Sequence, residues 1–326
     1  MKFPRRRFLE LAGVAAAASA LPRPALALDY PTRPVRFVVG FPAGGQQDTM
    51  ARLICQWLSE RLGQQFLVEN RSGAGGNVGA EAVINSPPDG YTMLLVGSPN
   101  AINATLYQKL NFVFLRDIVP VASFARTPLV VEVHPSVPVH TLPEFIAYAK
   151  ANPGKVNYAS AGIGTVSHVC GEYFGTVAGV SLVHIPYKGT GPAITDLLGG
   201  HIPMAFAPVP ATHENAKAGK LRMLAVTSAA RSALLPEVPT IAEAALPGFE
   251  AVLRYGLVAP AGTPAAIIER LNAALNAALK SDDVRARLAI EGAEPLPSTP
   301  AEYAADIDRE ETQWSKVVKA SGAKAE

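Results

Sequence analysis

The chain has 326 residues, 49% of them hydrophobic and 17% charged, with 29 Lys and Arg against 27 Asp and Glu for a formal charge of +2. That length exceeds one comfortable hydrophobic core and predicts two lobes, while the near balance of charge leaves no electrostatic footprint for nucleic acid or an acidic membrane surface. Its two cysteines, Cys55 and Cys170, lie far apart in helical patterns, where a small buried hydrophobe is a commoner role than a disulfide or a metal ligand.

The first elements form an address. Arg5-Arg6-Arg7-Phe8-Leu9 fits the twin-arginine export pattern, the run to Leu21 is modestly apolar, and Ala25-Leu26-Ala27 is a small-x-small cleavage site. The expectation is a signal peptide over residues 1–27 and a periplasmic mature chain from Leu28. A membrane helix is the competing reading, but the run is shorter than the ~20 residues a span needs. Removing five positive charges (Lys2, Arg5, Arg6, Arg7, Arg23) and one negative (Glu10) turns the formal charge from +2 to −2, so the basic balance belongs to the leader.

Residues 35–39 are β-branched and aromatic, the composition of a buried strand, and Phe41-Pro42-Ala43-Gly44-Gly45 stops it. Asp48 reads as an N-cap, and Met50, Leu53, Ile54, Trp57, Leu58 and Leu62 then recur at helical spacing up to Gly63. The unpartnered amides of such a helix start, beside two glycines, make a seat for a small anion; a tight β-to-α turn is the equally available bland reading. A second unit follows, with a strand over 65–69, the loop Arg71-Ser72-Gly73-Ala74-Gly75-Gly76, a helix over 78–85 and a strand over 91–96. Ser98 and Asn100 come just after that strand, at the end where open α/β sheets place ligands, although a self-capped polar turn would look the same.

From Leu129 a second set begins. A strand over 129–133, a helix opened by the capping box Thr141-Leu142-Pro143-Glu144 and a strand over 156–160 lead into Ala161-Gly162-Ile163-Gly164-Thr165. The next helix should turn Val166, Val169, Cys170, Tyr173, Phe174 and Val177 inward, repeating the opening unit's strand, glycines and helix start. Strands over 182–185, 202–206 and 221–226 complete the set, with Pro186-Tyr187-Lys188-Gly189 between. A short strand over 257–259 and helices opened by Thr263-Pro264, Ser281 and Thr299-Pro300 return to the first lobe. Alternating units of this length predict an α/β fold with mostly parallel sheets, and chain crossings near 126–128 and 249–255 would form a hinge.

Enzymatic motifs are missing: there is no G-x-S-x-G, H-E-x-x-H, G-x-x-x-x-G-K-[ST] or C-x-x-C, and the opening loop does not fit the dinucleotide fingerprint. No catalytic residue, cofactor or metal site is therefore assigned. His168 and Glu172 share a helical face but have no signalled third ligand, so a hydrogen-bonding histidine is the stronger reading. Lys188 reads either as an anion partner or as a solvated turn lysine, with the second slightly favoured.

The ordered blocks Pro42-Ala43-Gly44-Gly45-x-x-Asp48-x-x-Ala51-Arg52, Glu69-Asn70-Arg71-x-Gly73-Ala74-Gly75-Gly76, Tyr158-Ala159-Ser160-x-Gly162-x-Gly164-Thr165-x-x-His168 and Pro186-Tyr187-Lys188-Gly189-x-x-Pro192-Ala193 resemble the Bug-type substrate-binding receptors of tripartite tricarboxylate transporters. The match continues through Val238-Pro239-Thr240 and Ala259-Pro260-Ala261-Gly262-Thr263-Pro264, so it covers essentially the whole mature chain. The resemblance implies a two-lobed periplasmic binding protein of type II, a clamshell with residues 28–128 plus 249–326 as one lobe and 129–248 as the other. It implies a monomer that closes on a small carboxylate and delivers it to a membrane permease, with a sensor kinase as the alternative recipient and a periplasmic enzyme acting on carboxylates as a more remote one. Carried over, Phe41, Ala43, Gly44, Gly45 and Asp48 form one wall, Ser98 the floor, and Ser160, Gly164, Thr165 and Gly189 the other wall. Two departures from the family pattern, Ala207 for an aspartate and Arg254 for a tryptophan, lean toward a second anionic or less amine-bearing ligand.

Overall fold

The structure, a computed structural model, describes residues 29–325, and the leader expected at 1–27 lies outside them. Strand β1 (Val35–Val39) buries every side chain but Arg36 and feeds helix α1 (Gln46–Leu62), whose Met50, Leu53, Ile54 and Leu58 face inward. Gly63 ends that helix at φ 71, the left-handed cap that a side chain would strain. Strand β2 (Phe66–Asn70), helix α2 (Asn77–Ile84) and strand β3 (Thr92–Gly97) repeat the unit, and β1 pairs in parallel with both β2 and β3. Helix α3 (Ser98–Leu106) starts directly after β3, where the sequence was read as ligand donors or a self-capped polar turn and not as a helix. The Gly97 amide donates to Asn100 Oδ1 at 3.1 Å and closes its first turn. A single turn, α4 (Phe114–Asp117), follows.

Strand β4 (Ile118–Val133) runs for 16 residues, far beyond the 129–133 read from the sequence. Pro120 and Pro128 conceal its first part. The ladder with strand β9 (Val252–Pro260) is irregular between Pro120 and Ala122, where a missing N–H is tolerated. Pro128 ends that ladder, and from Leu129 the same strand pairs instead with strands β7 (Met204–Pro208) and β8 (Arg222–Val226).

The second set supplies helix α5 (Leu142–Ala151), strand β5 (Val156–Ser160), helix α6 (Val166–Ala178), strand β6 (Leu182–Pro186), helix α7 (Thr190–Leu198) and helix α8 (Val209–Lys217). Helix α9 (Ile241–Ala244) precedes β9, and helices α10 (Ala265–Ala278) and α11 (Asp282–Ile290), strand β10 (Glu294–Pro295) and helix α12 (Pro300–Ser321) end the chain. Two sheets result, β2-β1-β3-β9-β4-β10 and β8-β4-β7-β5-β6, with β4 common to both. Within each set the βαβ neighbours are parallel as expected, but β9 and β4 run antiparallel through the middle. Arg126 stands opposite Arg254 and Pro128 opposite Val252, so the two expected crossings are neighbours in one ladder.

Phe145, Phe174, Phe206 and Phe249 pack with Trp314 in one apolar cluster, while Tyr303 and Ile307 pack with Val38 and Val96 in another. Helix α12 therefore joins the cores under both sheets. Cys55 and Cys170 are buried and free, whereas Val177, expected inward, is exposed. In the middle of the second sheet Glu132 is completely buried, and neither carboxyl oxygen has a well-formed hydrogen bond.

Burial pushes the Glu132 carboxyl up to about 8, with the Thr212 hydroxyl opposing the shift. Its value in the fold is raised above that of the unfolded chain, so the folded state keeps a proton that the unfolded state releases once the pH passes the ordinary carboxylate value. Stability should therefore fall as pH rises from about 4.5 to about 8, by at most about 1.4 kcal/mol per pH unit from this group. Glu132→Gln should flatten that decline and gain stability relative to the parent at pH 8; urea unfolding at pH 5.5 and 8 with parallel slopes for the two chains would rule the proton out.

Candidate functional site

A cleft of about 480 Å³ opens between the two sheets. The loop after β1 contributes Phe41, Pro42 and Gly45, and the first residues of α1, Gln46 and Gln47, continue that wall. Gly97, Ser98 and Pro99 bring in the start of α3, and Leu253 and Tyr255 come from β9. From the second set, Thr165, Val166 and Ser167 present the start of α6, and Gly189 and Thr190 the start of α7. Helix starts thus converge on one space, each carrying amides that the helix itself leaves without acceptors and the positive end of its dipole. Among the described residues lining the cleft, Lys188 alone carries a formal charge.

Of the residues carried over from the resemblance, Phe41, Gly45, Ser98, Thr165 and Gly189 line the cleft. Ala43 and Gly44 stand exposed on the loop beside it. Asp48 is not the N-cap: Gly45 is, and Asp48 is the third helical residue, buried behind the loop. From there its Oδ2 accepts from the Gly44 amide at 2.9 Å and from Arg52 Nε at 2.9 Å, while Asn70 Nδ2 donates to Oδ1 at 3.0 Å. Burial alone would raise the Asp48 carboxyl, but the bonds from Arg52, Gly44 and Asn70 outweigh it and hold it below the ordinary carboxylate value. The Gly44 amide is thereby engaged, and the anion seat of α1 reduces to the amides of Gln46 and Gln47.

Ser160 and Gly164 also lie behind the cleft rather than in its lining. Gly164 adopts φ +79, and a Cβ there would stand 3.0 Å from Leu106 and 3.1 Å from Asn103 on α3, so the loop approaches the first set closely at this point. The Gly164 amide donates to His168 Nδ1 at 3.3 Å. The His168 ring stacks on His184, centroids 4.0 Å apart, and His184 Nε2 meets Ser160 Oγ at 2.6 Å. Burial lowers His168 to about 4; burial and the neighbouring His168 lower His184 to about 3. Two neutral rings therefore brace the second glycine loop from beneath. The i, i+4 pairing of His168 with Glu172 serves structure: Tyr158 donates its hydroxyl to Glu172 Oε1 at 2.7 Å, and no group of metal-binding side chains occurs among the described residues.

The two departures act elsewhere than expected. Arg254 faces away from the cleft and pairs with Glu310 at 3.6 Å and Glu250 at 3.7 Å, while its amide donates to Ser98 Oγ. Ala207 is buried in the apolar cluster beneath α7 with Ala159 and Ala205. The base that lines the cleft is Lys188, which is also exposed, as the solvated turn lysine slightly favoured by the sequence would be. Gln46 and Gln47, read as lying ahead of a helix capped by Asp48, and Leu253 and Tyr255, read as part of the 249–255 crossing and not as strand, were not singled out by the sequence.

Comparison with known proteins gives a consistent family. Residues 50–323 match TctC, described as the tripartite tricarboxylate transporter family receptor. The chain is 39% identical over 320 residues to Protein BugT of Bordetella pertussis, with 98% of each covered. Among solved structures, R. palustris Rpa4515 with adipate superposes with a TM-score of 0.81 at 38% identity, covering 90% of this chain and 98% of that one. MatC from Rhodopseudomonas palustris with bound malate gives 0.78 at 34%, covering 89% and 100%.

The histidine pair makes the fold acid-sensitive. The folded values are lowered, so between the ordinary histidine value of about 6.5 and about 4 the unfolded chain takes up protons that the folded chain refuses. Stability is then present above that window and is lost as pH falls through it, by at most about 1.4 kcal/mol per pH unit for a deeply buried ring and less for the half-buried His184. His184→Phe keeps the stack and removes one uptake, so its urea midpoints at pH 7 and 5 should lie closer together than the parent's; an unchanged separation would place the uptake at other groups.

Proposed function

Because the chain belongs to the tripartite tricarboxylate transporter receptor family, we propose that it captures a small carboxylate in this cleft and hands it to the membrane permease of such a system. The observation that carries the proposal is the meeting of helix starts from both sheets around a space that no acidic side chain lines. Amide dipoles hold an anion without donating or taking a proton, which suits reversible binding and not bond-making. Adipate and malate, the ligands of two similar receptors, belong to the expected class.

In this reading the mature chain is periplasmic, exported by the twin-arginine leader with cleavage near Ala27, and works as a monomer. Residues 28–128 plus 249–326 move as one lobe and 129–248 as the other, flexing where β4 and β9 run side by side. Phe41, Ala43, Gly44, Gly45, Asp48 and Ser98 on one side, and Ser160, Gly164, Thr165 and Gly189 on the other, then form or support the closing surfaces. A carboxylate held by both sides favours closure by as much as its affinity for the closed state exceeds that for the open one, and the closed surface is what the permease meets.

Thermal-shift and calorimetric titration with adipate, malate, citrate and benzoate should show saturable stabilisation by at least one of them and none by the corresponding amides. Thr190→Asp gives a sharper test. Thr190 is the first residue of α7 and lines the cleft. An acid there suits the helix dipole, so melting temperature without ligand should hold or rise, while carboxylate affinity falls at least tenfold. A folded chain that no carboxylate stabilises, or a Thr190→Asp variant with undiminished affinity, would defeat the proposal.

A further inference from the structure

Every amide of the second glycine loop but one has an acceptor within the protein. The Ala161 amide donates to Ser167 Oγ at 3.0 Å, Gly162 to Ser160 Oγ at 3.1 Å, Gly164 to His168 Nδ1 at 3.3 Å and Thr165 to the Gly162 carbonyl at 3.2 Å. Ile163, 43% exposed, is the residue of this loop whose N–H the protein does not use. The carbonyls are engaged as well: Ala161 accepts from the Gly189 amide at 3.0 Å, and Gly162 from Thr165 Oγ1 at 2.6 Å. A loop tied at so many points has little freedom to turn its last N–H elsewhere.

On the facing side, Asn103 of α3 has the complementary defect. Its Nδ2 donates to the Gly75 carbonyl at 2.9 Å and to Asn77 Oδ1 at 3.1 Å. These bonds fix the amide, since turning it over would set an oxygen against the Gly75 carbonyl. Asn103 is completely buried, and its Oδ1 has no hydrogen-bond partner. That oxygen lies 3.1 Å from where a Cβ on Gly164 would stand, so the unpaired acceptor faces the second loop one residue from the unpaired donor. A buried acceptor left unpaired costs stability, and native folds rarely keep one without a use.

Resting on the receptor reading above, we infer that Asn103 is a positioning residue for closure: when a ligand draws the two sets together, Asn103 Oδ1 accepts from the Ile163 amide. The bond belongs to the closed state and touches no atom of the ligand. It therefore adds to the difference in affinity between the closed and open states, whichever carboxylate is held. Gly164 serves the same approach, because a side chain there would meet Asn103 and Leu106 before the loop could settle.

Hydrogen exchange read at single amides, without ligand and with saturating adipate, tests the bond directly. In the parent chain adipate should slow exchange at Ile163 by about tenfold or more, and in Asn103→Ala, which lacks the acceptor, by less than about twofold. Ile163→Pro removes the donor and leaves the Asn103 bonds to Gly75 and Asn77 in place, with Gly162 ahead of it to tolerate the ring. Calorimetry should show adipate affinity about fivefold lower for Ile163→Pro at an unchanged ligand-free melting temperature, and Ile163→Val, which has the N–H, should restore the affinity. Adding Asn103→Ala to Ile163→Pro should lower affinity no further, since both remove one bond. Exchange at Ile163 that adipate leaves unchanged in the parent, equal protection in Asn103→Ala, or losses that add in the double variant would overturn the assignment. Malate, citrate or benzoate takes the place of adipate where adipate itself does not bind. Failure of all four to bind the folded chain is the separate result that removes the receptor reading, and this inference with it.

Discussion

The first turn of an α-helix has amide hydrogens that its own carbonyls cannot reach, and this fold brings several such turns to one place. In both sheets the parallel strands end at the cleft, and each βα loop that follows is short enough for the next helix to begin there. Gly45, Gly97, Thr165 and Gly189 are the residues at which α1, α3, α6 and α7 start, and all four line the cleft. Positive potential is built from backbone, with Lys188 as the single charged side chain. The rest of the structure supports the positions of those turns: Asp48 holds the first loop from behind, and the stacked histidines hold the second.

These supports explain which parts of the site were legible in the sequence. Glycines followed by an apolar helical period announced both loops, and the capping residues Thr141 and Thr299 mark their helices as expected, because caps act within four residues of chain, whereas the helix expected to open on Thr263-Pro264 has Pro264 at its cap and starts at Ala265. Asp48 was misplaced by three positions for a physical reason. An acid at the third helical residue can reach back to an amide ahead of the helix, and its sequence signature differs little from that of an N-cap. Long β4 was hidden because two prolines interrupt it at a bulge and at the handover between sheets, where only the tertiary partner shows that a missing amide is harmless. Local sequence left Lys188 between an anion partner and a solvated turn lysine and placed Tyr255 only at a chain crossing, since each lines the cleft by virtue of strands and helices remote from it.

The floor of the cleft is joined to the helix that spans both cores. Ser98 links the start of α3 to Glu310 on α12, and Arg254 on β9 pairs with the same carboxylate. Burial raises the Glu310 carboxyl, against the pull of Arg254 and Ser98, so the three groups stabilise one another where water is excluded. One turn further along, Trp314 packs edge-on against Tyr173 of α6, and Tyr173 stacks on Phe249 at 4.7 Å. The C-terminal end of α12 is thus anchored to the second set, although the sequence assigned the whole helix to the first.

That anchorage bears on how the proposed closure would occur. If α12 is held at one end by Tyr303 against the first sheet and at the other by Trp314 against α6, a rigid swing of one sheet about the β4–β9 ladder must either bend the helix or slide one of these contacts. Packed cores resist the first course because a small gap forfeits much of the dispersion energy of its lining. The Trp314 end has the looser alternative: Trp314 Nε1 reaches only the Glu310 carboxylate, in a poorly formed hydrogen bond, and the neighbouring rings of Tyr173 and Phe249 are joined by stacking alone. Ring faces slide over one another at less cost than interdigitated aliphatic chains, so movement between the lobes is expected to concentrate at α12 near Trp314, with the β4–β9 ladder flexing and the Ser98–Glu310–Arg254 floor carried intact.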